Sequence, residues 1–238
     1  MNLSTKFSIN YLLQKLRHIF KIYGVISYAQ EGEDLILNRL FDGKENGFYV
    51  DVGAHHPKRF SNTHFFYKLG WSGINIDAMP GSMKIFDQIR SRDINLEIPV
   101  MKDQQELEYY RFNEPALNGF NKELSESRNG LHHYKVIEVI KMKGAPLYQI
   151  LRAHLPQNQS IDFLSIDVEG LDFEVLMSND WNLYRPKVVL VEMLSFSLSD
   201  IDDNLVAKFM DGKGYHLFAR AINTTFFMSN EYASERKC

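Results

Sequence analysis

Residues 48–56 read FYVDVGAHH, and the rest of the chain is organised around this stretch. Three apolar residues are followed by the carboxylate of Asp51, and Gly53 comes two positions later. This pattern predicts a buried strand from Phe48 to Asp51 that runs into a tight turn. In an open α/β sheet, nucleotide-like ligands bind at the carboxyl end of such a strand. We therefore expect a ligand site at the turn that follows Asp51.

The composition is that of a globular protein, with 45% apolar and 24% charged residues in a chain of 238. This length suits one sizeable α/β domain. The net charge of −3 provides no overall basic field, so no nucleic-acid partner is expected. Cys238 is the only cysteine, which excludes an internal disulfide and is consistent with a reducing, cytoplasmic location. We find no apolar run of about 18 residues and no signal-peptide pattern.

Residues 1–26 differ from the rest of the chain and are expected to form a basic amphipathic helix. Within residues 1–23 the charged side chains are all cationic, and apolar residues recur at helical spacing. A helix of this kind is typical of peripheral contact with an anionic membrane, here the inner membrane surface. The alternative is a terminal helix that packs on its own domain.

Residues 27–238 alternate strand and helix patterns, which predicts a parallel sheet with right-handed crossovers. After the first strand, parallel strands are predicted at 73–77, 94–100, 161–167 and 187–192, and a terminal strand pair at 215–221 and 224–228. Helices are predicted at 27–41, 61–69, 83–89, 146–154, 171–177 and 200–210.

An insertion at about residues 104–142 interrupts this alternation. It contains two predicted strands, 107–112 and 136–142, separated by a long polar stretch. A loop of that length in a compact domain is usually functional or mobile. We interpret it as a lid or an acceptor-binding insertion, and the alternative is a disordered surface excursion. Its aromatic residues either stack on a sugar ring or belong to the strand core: they are Tyr109, Tyr110, Phe112 and Phe120.

Four of the predicted parallel strands end on an acid: Asp51, Asp77, Asp167 and Glu192. The carboxyl ends of parallel strands line one rim of a sheet, and crowded carboxylates need cations or hydrogen-bond donors. Asp77 follows Asp51 by 26 residues, a spacing that suits an acid binding ribose hydroxyls. These features predict a ligand that contains a nucleoside.

The glycine pattern narrows the choice of nucleoside. A dinucleotide site needs G-x-G-x-x-G after the first strand to hold a pyrophosphate. Here Gly53 is followed by Ala54, His55, His56 and Pro57, so a nicotinamide oxidoreductase is disfavoured. An acid at Asp51 repels a pyrophosphate but attracts an α-amino group and a sulfonium. S-adenosylmethionine carries both groups and is therefore the expected cofactor.

Several stretches, taken in order, resemble the FkbM-type S-adenosylmethionine-dependent methyltransferases. They are SYAQEGEDLIL at 27–37, FYVDVGAHHP at 48–57, GINIDAMP at 73–80, and IDFLSIDVEGLDFEVL at 161–176 followed by KVVLVE at 187–192. The resemblance implies a Rossmann-like class I methyltransferase fold. In that fold a mostly parallel seven-stranded sheet has an antiparallel last strand and helices on both faces. It also implies O-methylation of a hydroxyl, often on a sugar or a natural product.

The resemblance further implies roles for individual residues. Asp51, Gly53, Ala54 and His55 would form the cofactor loop, with His55 at a position where family members often have Asn. The resemblance gives ribose binding to Asp77, with Ala78 beside it. Lys102 and Asp103, which follow the third strand, would flank the adenine.

Two polar residues at the start of the second helix, Asn62 and Thr63, are candidates to donate hydrogen bonds to the cofactor's carboxylate. Ordinary helix capping by Ser61 is the alternative explanation for this polar sequence.

Methyl transfer to a hydroxyl requires in-line alignment and removal of the hydroxyl proton. The candidates for the base are Asp167, Glu169 and His56. Glu169 could instead stabilise the following helix, and His56 could serve only the turn. In an alternative mechanism, Asp167 and Glu192 share a Mg²⁺ that lowers the pKa of the acceptor hydroxyl. The alternative function is a non-catalytic Rossmann-like binding protein at a membrane surface or in a glycan pathway.

Overall fold

The computed structural model describes residues 24–103, 106–114, 117–168, 170–194, 197, 201 and 203–236. Residues 1–23 of the amphipathic helix predicted for residues 1–26 lie outside these ranges, and residues 24–26 are not helical. None of the helices in the described chain is long and apolar enough to cross a membrane.

A seven-stranded sheet forms the centre of the protein, in the order β3-β2-β1-β6-β7-β9-β8. Its strands are β1 (Phe48–Val52), β2 (Ser72–Asp77), β3 (Ile94–Glu97), β6 (Phe163–Ile166), β7 (Val188–Glu192), β8 (Tyr215–Arg220) and β9 (Thr224–Ser229). Strands β3, β2, β1, β6 and β7 are parallel, and β9 runs antiparallel between β7 and β8. The predicted fold class, a mostly parallel sheet with an antiparallel last strand, is confirmed.

Helices cover both faces of this sheet. They are α1 (Glu33–Leu40), α2 (His64–Leu69), α3 (Met83–Ile89), α5 (Leu147–His154), α6 (Asp172–Met177), α7 (Leu205–Gly212) and α8 (Asn230–Arg236). Strand β1 is buried on both sides, with Val50 and Val52 packed in a cluster with α5, α6 and α7. Tyr49 points the other way, into a cluster with residues of α1 and α2. The first strand therefore lies between two hydrophobic layers, as its three leading apolar residues predict.

The insertion forms its own two-stranded antiparallel sheet. Strands β4 (Glu106–Phe112) and β5 (Val136–Lys143) pair along their length, and α4 (Lys122–Arg128) lies in the stretch between them. Tyr109, Tyr110 and Phe112 are buried, whereas Phe120 is half-buried with its ring centre 5.0 Å from that of Tyr109. In the described residues the insertion thus has regular secondary structure and buried aromatic side chains, which favours the lid or acceptor-binding interpretation over a surface excursion.

The largest error in the predicted helices concerns the first one, which was expected to start at Ser27. It starts at Glu33, after Gly32 in the left-handed region at φ +86°. The Asp34 carboxylate accepts from the Ser27 hydroxyl at 2.6 Å and from the Tyr28 amide at 2.7 Å. Asp34 therefore hydrogen-bonds the loop before the helix, so Ser27 is part of that loop and not a helix cap. The pattern of caps and apolar residues in the sequence does not report this contact.

Candidate active site

The turn after β1 brings the ends of three strands together at Gly53. Gly53 has φ +83°, and a Cβ placed on it would lie 1.7 Å from the carbonyl oxygen of Asp167, just past β6. The amides of Gly53 and Ala54 both donate to the carbonyl of Ile76 in β2, at 2.9 and 3.0 Å. Glycine is required here by the backbone conformation and by the close approach of the β6 end.

Asp77, the last residue of β2, organises the other side of this turn. Its carboxylate accepts from the His55 amide at 2.8 Å and from the Met79 amide at 2.7 Å. Burial raises the pKa of Asp77 above its ordinary value, and the hydrogen bonds from these two amides reduce this increase. Each carboxylate oxygen has a further lone pair, so Asp77 can also accept from ribose hydroxyls. Ala78 is half-buried next to it.

His55 has a left-handed backbone, with φ +50°. Among residues other than glycine, Asn, Asp and His adopt this conformation most readily. The conformation therefore gives a physical reason why His can stand where the resemblance leads us to expect Asn.

Asp51 lies beneath the turn, not on its surface. Strand β1 continues one residue past it to Val52, and Asp51 is 5% exposed. Its carboxylate accepts from the Thr63 hydroxyl at 3.0 Å. Burial raises the pKa of Asp51 to about 6, although Thr63 and the positive charge of Arg90 both lower it. The geometry places Asp51 among the groups that support the turn.

Arg90 is the centre of this support, and our sequence analysis missed it. Its fully buried guanidinium donates to the Pro57 carbonyl at 3.0 Å, to the Tyr49 hydroxyl at 2.7 Å and to the Thr63 hydroxyl at 3.0 Å. It also pairs with the buried carboxylate of Asp93 at 2.9 Å. In the sequence, Arg90 only follows a predicted helix, where a cation is ordinary, so no local signal indicates that it is buried.

Asn62 presents one satisfied and one unsatisfied polar atom. Its side-chain amide nitrogen donates to the Ser165 hydroxyl at 3.1 Å, and Ser165 pairs with Asp51 across β1 and β6. The side-chain oxygen of Asn62 is buried and has no hydrogen-bond partner among the described residues. Such an acceptor beside the strand ends fits the α-ammonium group of S-adenosylmethionine. The neighbouring Thr63 is fully buried, and its hydroxyl serves Asp51 and Arg90.

Asp167 is exposed immediately after β6, and its amide donates to the Val52 carbonyl at 3.0 Å. The loop that begins there is shaped by Asp172, another residue absent from our candidates. The buried Asp172 carboxylate accepts from the amides of Val168 at 3.2 Å and Gly170 at 3.1 Å. Asp172 thereby fixes the chain on either side of residue 169. The candidate base Glu169 itself lies outside the described residues.

His56 has a structural role within the same turn. Its Nδ1 accepts from the amides of Lys58 at 3.1 Å and Arg59 at 3.0 Å. Burial lowers the pKa of His56, as do the nearby charges of His55, Arg59 and Lys58. Because Nδ1 accepts these hydrogen bonds, the proton of the neutral ring lies on Nε2. The Nε2 atom of His56 can therefore donate a hydrogen bond.

Three candidates remain to be placed, namely Lys102, Asp103 and Glu192. Lys102 lines a cavity of about 530 Å³ together with Tyr148 and residues 177–182, and that lining includes none of the strand-end residues above. Asp103 is exposed, and Glu192 is half-buried at the end of β7. Among the described residues no group of three or more His, Cys, Asp or Glu side chains is arranged to hold a metal ion.

The insertion reaches the strand ends through the loop after β2. The side-chain amide of Asn118 lies 3.6 Å from the sulfur of Met79. Burial raises the pKa of Tyr109, and the negative charge of Asp77 adds to this increase. These contacts place one end of the β4–β5 unit beside the turn that contains Asp77.

Comparison with known proteins supports a methyltransferase assignment. No curated protein matches the chain. One similar solved structure is a TehB-like SAM-dependent methyltransferase from Corynebacterium glutamicum, with a TM-score of 0.41 and 11% identity over 95% of this chain and 100% of that chain. The methyltransferase FkbM domain matches residues 51–217, which is more than half of the sequence. The chain therefore belongs to the FkbM methyltransferase family.

Proposed function

We propose that this protein is an S-adenosylmethionine-dependent O-methyltransferase whose acceptor is a hydroxyl of a sugar or glycan. The family membership supports methyl transfer, and the observation that carries the cofactor assignment is the geometry of the turn after β1. There, Gly53 lies against the end of β6, while Asp77 and the unpartnered oxygen of Asn62 offer acceptors to hydroxyl and ammonium donors. Bound S-adenosylmethionine supplies an electrophilic methyl carbon on a sulfonium.

In this proposal different residues at the turn bind different groups of the cofactor. Asp77 accepts from the ribose hydroxyls, and Asn62 accepts from the α-ammonium group. Asp51 and Thr63 act through the buried network that fixes the turn, since their side chains are satisfied there. Lys102 and Asp103 remain candidates for adenine contact, although the cavity lined by Lys102 includes neither Asp77 nor Gly53.

Asp167 is our proposed base. Its carboxylate would take the proton that the acceptor hydroxyl loses when the methyl group is transferred and S-adenosylhomocysteine is left as the product. Two observations support this choice: Asp167 is exposed at the end of a central strand, and its carbonyl lies close to Gly53 in the turn after β1, which we call the cofactor turn. His56 is less suited because its Nδ1 already accepts two amide hydrogens. Glu169 is the alternative base.

The test of the function combines binding and turnover. Calorimetric titration with S-adenosylhomocysteine should show binding, and labelled methyl groups should appear in a panel of glycans read by mass spectrometry. Asp167→Asn should lower kcat by about 10²- to 10⁴-fold while leaving cofactor affinity unchanged. Asp203→Asn is the matched control, because the Asp203 side chain is 95% exposed.

Different failures point to different errors. If wild-type protein does not bind S-adenosylhomocysteine, the cofactor assignment is wrong. If it binds but modifies no acceptor, the non-catalytic binding protein becomes the better proposal. If Asp167→Asn keeps full turnover, the base lies elsewhere, with Glu169→Gln as the next variant.

The Mg²⁺ mechanism remains the alternative route to the same product. It would use Asp167 and Glu192 as hard oxygen ligands, with the metal lowering the pKa of the acceptor hydroxyl. Activity that survives thorough chelation would remove this route.

Peripheral membrane contact through residues 1–23 is a separate proposal, which rests on the charge pattern of that segment. Deletion of residues 1–23 should abolish association with anionic liposomes. Unchanged association would contradict it.

A further inference from the structure

A second concave site lies along the outer face of α2, which we call the α2 groove. It has a volume of about 770 Å³, and its polar and aromatic lining comprises Tyr28, Lys58, His64, Tyr67, Lys68 and Arg92. The proposed function uses none of these residues. Lys58 belongs to the loop that continues from the cofactor turn, whereas His64, Tyr67 and Lys68 belong to α2.

The groove is cationic. The described residues that line it include two lysines and an arginine but no Asp or Glu. In the part of the chain that the structure describes, Lys58, Lys68 and Arg92 form no ion pair. Three uncompensated cations in one concave surface attract anions and strengthen the field felt by a ligand there.

Aromatic rings hold two of these cations in place. The Lys68 ammonium donates to the Tyr28 hydroxyl at 2.6 Å, and the Arg92 guanidinium lies 3.8 Å from the centre of the Tyr67 ring. These contacts orient the positive groups without neutralising them, since neither ring carries a charge. The groove therefore combines fixed cations with two aromatic surfaces.

His64 adds an unsatisfied polar atom to this lining. Its side chain is 6% exposed, and its buried Nδ1 finds no hydrogen-bond partner in the described part of the chain. The ring packs edge-on against Tyr28, with centres 4.6 Å apart. A buried ring nitrogen without a partner is costly, and a ligand oxygen is the kind of group that would satisfy it.

From these observations we infer that the α2 groove binds a phosphate monoester carried on an apolar or planar group. Lys58, Lys68 and Arg92 contact the phosphate, and His64 donates to one of its oxygens. Tyr28 packs against the remainder of the ligand, because the Tyr67 ring already lies against the guanidiniums of Arg92 and Arg90, at 3.8 and 4.7 Å from its centre. The inference does not depend on O-methylation, because none of these side chains belongs to the proposed cofactor or acceptor site.

Phenyl phosphate is a suitable soluble probe, measured by calorimetry on the full-length protein. It should bind more tightly than inorganic phosphate or phenol. The double variant Lys58→Gln/Lys68→Gln should weaken it by about tenfold or more, because two charge-assisted contacts are lost. The matched control, Lys122→Gln/Lys208→Gln, removes two exposed lysines on α4 and α7 and should leave the affinity unchanged.

His64→Phe keeps an aromatic ring and removes the unpartnered nitrogen. We expect at least about a threefold loss of affinity for phenyl phosphate. Imidazole ¹⁵N chemical shifts of wild-type His64 should also change on addition of the probe. The shift reports on the site even if His64→Phe destabilises the protein.

The source of the phosphate is tested with vesicles that contain phosphatidic acid, which displays the same group on a lipid. Binding of phenyl phosphate or of these vesicles, if lost in the Lys58/Lys68 double variant, supports the inference and identifies the source as soluble or lipid. Absence of both, or binding unaffected by the double variant, overturns it. Equal affinity for inorganic phosphate overturns the role of the Tyr28 ring.

A final experiment tests whether the α2 groove and the proposed methyl-transfer site are separate binding sites. Saturation with S-adenosylhomocysteine should leave the affinity for phenyl phosphate unchanged. Competition between the two ligands would show that the probe occupies the cofactor site and would overturn a separate groove. If S-adenosylhomocysteine does not bind at all, the proposed function fails while the groove remains testable.

Discussion

The seven-stranded sheet and the β4–β5 insertion are stabilised in different ways. In the large sheet, the buried groups Arg90 and Asp51 support the turn after β1, and Arg90 pairs with the carboxylate of Asp93 at the start of β3. In the insertion, charged pairs lie on the surface, and Arg111 and Glu138 are 42% and 48% exposed. Buried ion pairs are costly to break, whereas exposed pairs contribute little. We therefore expect substitutions in the buried network below the turn to lower stability strongly, and substitutions of the exposed charges of the insertion to have little effect.

The sharpest test of this contrast is Arg90→Met. It leaves the buried Asp93 carboxylate without its cation and should lower the free energy of unfolding by about 3 to 5 kcal/mol. Arg39→Met is the control, because Arg39 and its partner Asp42 are 85% and 70% exposed. Urea denaturation of both variants measures the difference, and equal effects would show that the buried network is not the main support of the turn.

Gly53→Ala should destabilise the protein by about 3 kcal/mol, through left-handed strain and contact with the Asp167 carbonyl. Gly81→Ala separates these causes. Gly81 has the same φ of +83°, but a Cβ there meets nothing within 4 Å. The control should cost only about 1 kcal/mol. We also expect Gly53→Ala to weaken binding of S-adenosylhomocysteine, and retained affinity would argue against the turn as the cofactor site.

Asp51 should contribute a pH-dependent cost to folding. Its pKa is about 6 in the folded protein against 3.8 as the ordinary value, so the folded state retains a proton that the unfolded state releases. Stability is then lost as pH rises from about 4 to about 6, by about 3 kcal/mol in total.

His64 has the opposite effect on the pH dependence of stability. Burial lowers its pKa to about 4 from an ordinary value of 6.5, so His64 makes the folded state less stable as pH falls through this range. The measurement must therefore compare wild type with Asp51→Asn across this pH range. Relative to wild type, the variant should gain about 3 kcal/mol between pH 4 and pH 7. A constant difference would contradict the raised pKa of Asp51.

The smallest expected effect lies in the insertion. Phe120→Ala should raise the KM for a sugar acceptor by about five- to tenfold with little change in kcat, because one stacking surface is lost. Leu131→Ala is the control, since Leu131 is exposed by 54% in the same insertion. A fall in kcat without a change in KM would place Phe120 in a different role.

The fold was predictable because its signals are local. Strands such as Val188–Glu192 are apolar up to a terminal acid, Gly70 ends α2 at φ +111°, and the acids lie at one edge of the sheet. The predicted helix at Met83–Ile89 is confirmed at both ends. The first helix was extended too far because Asp34 hydrogen-bonds a loop six and seven residues earlier, a contact that apolar periodicity does not report.

The site was predictable only in outline. The positions of Gly53, Asp77 and Asp167 follow from the strand ends, and the structure brings these residues together. The supporting groups were missed because Arg90, Asp93 and Asp172 look like ordinary helix and loop residues in the sequence. Their burial depends on which helices pack against the sheet, and this is a property of the assembled fold.

The sequence by itself determined the strand–helix alternation, the single-glycine turn and the acids at the strand ends, because each follows from neighbouring residues along the chain. Tertiary structure decided what those acids do. Folding buried Asp51 against Thr63 and Arg90, left Asp167 exposed, and collected three cations around His64 on the outer face of α2. Burial and long-range neighbours fix the charge and availability of a side chain, and only the folded chain specifies them.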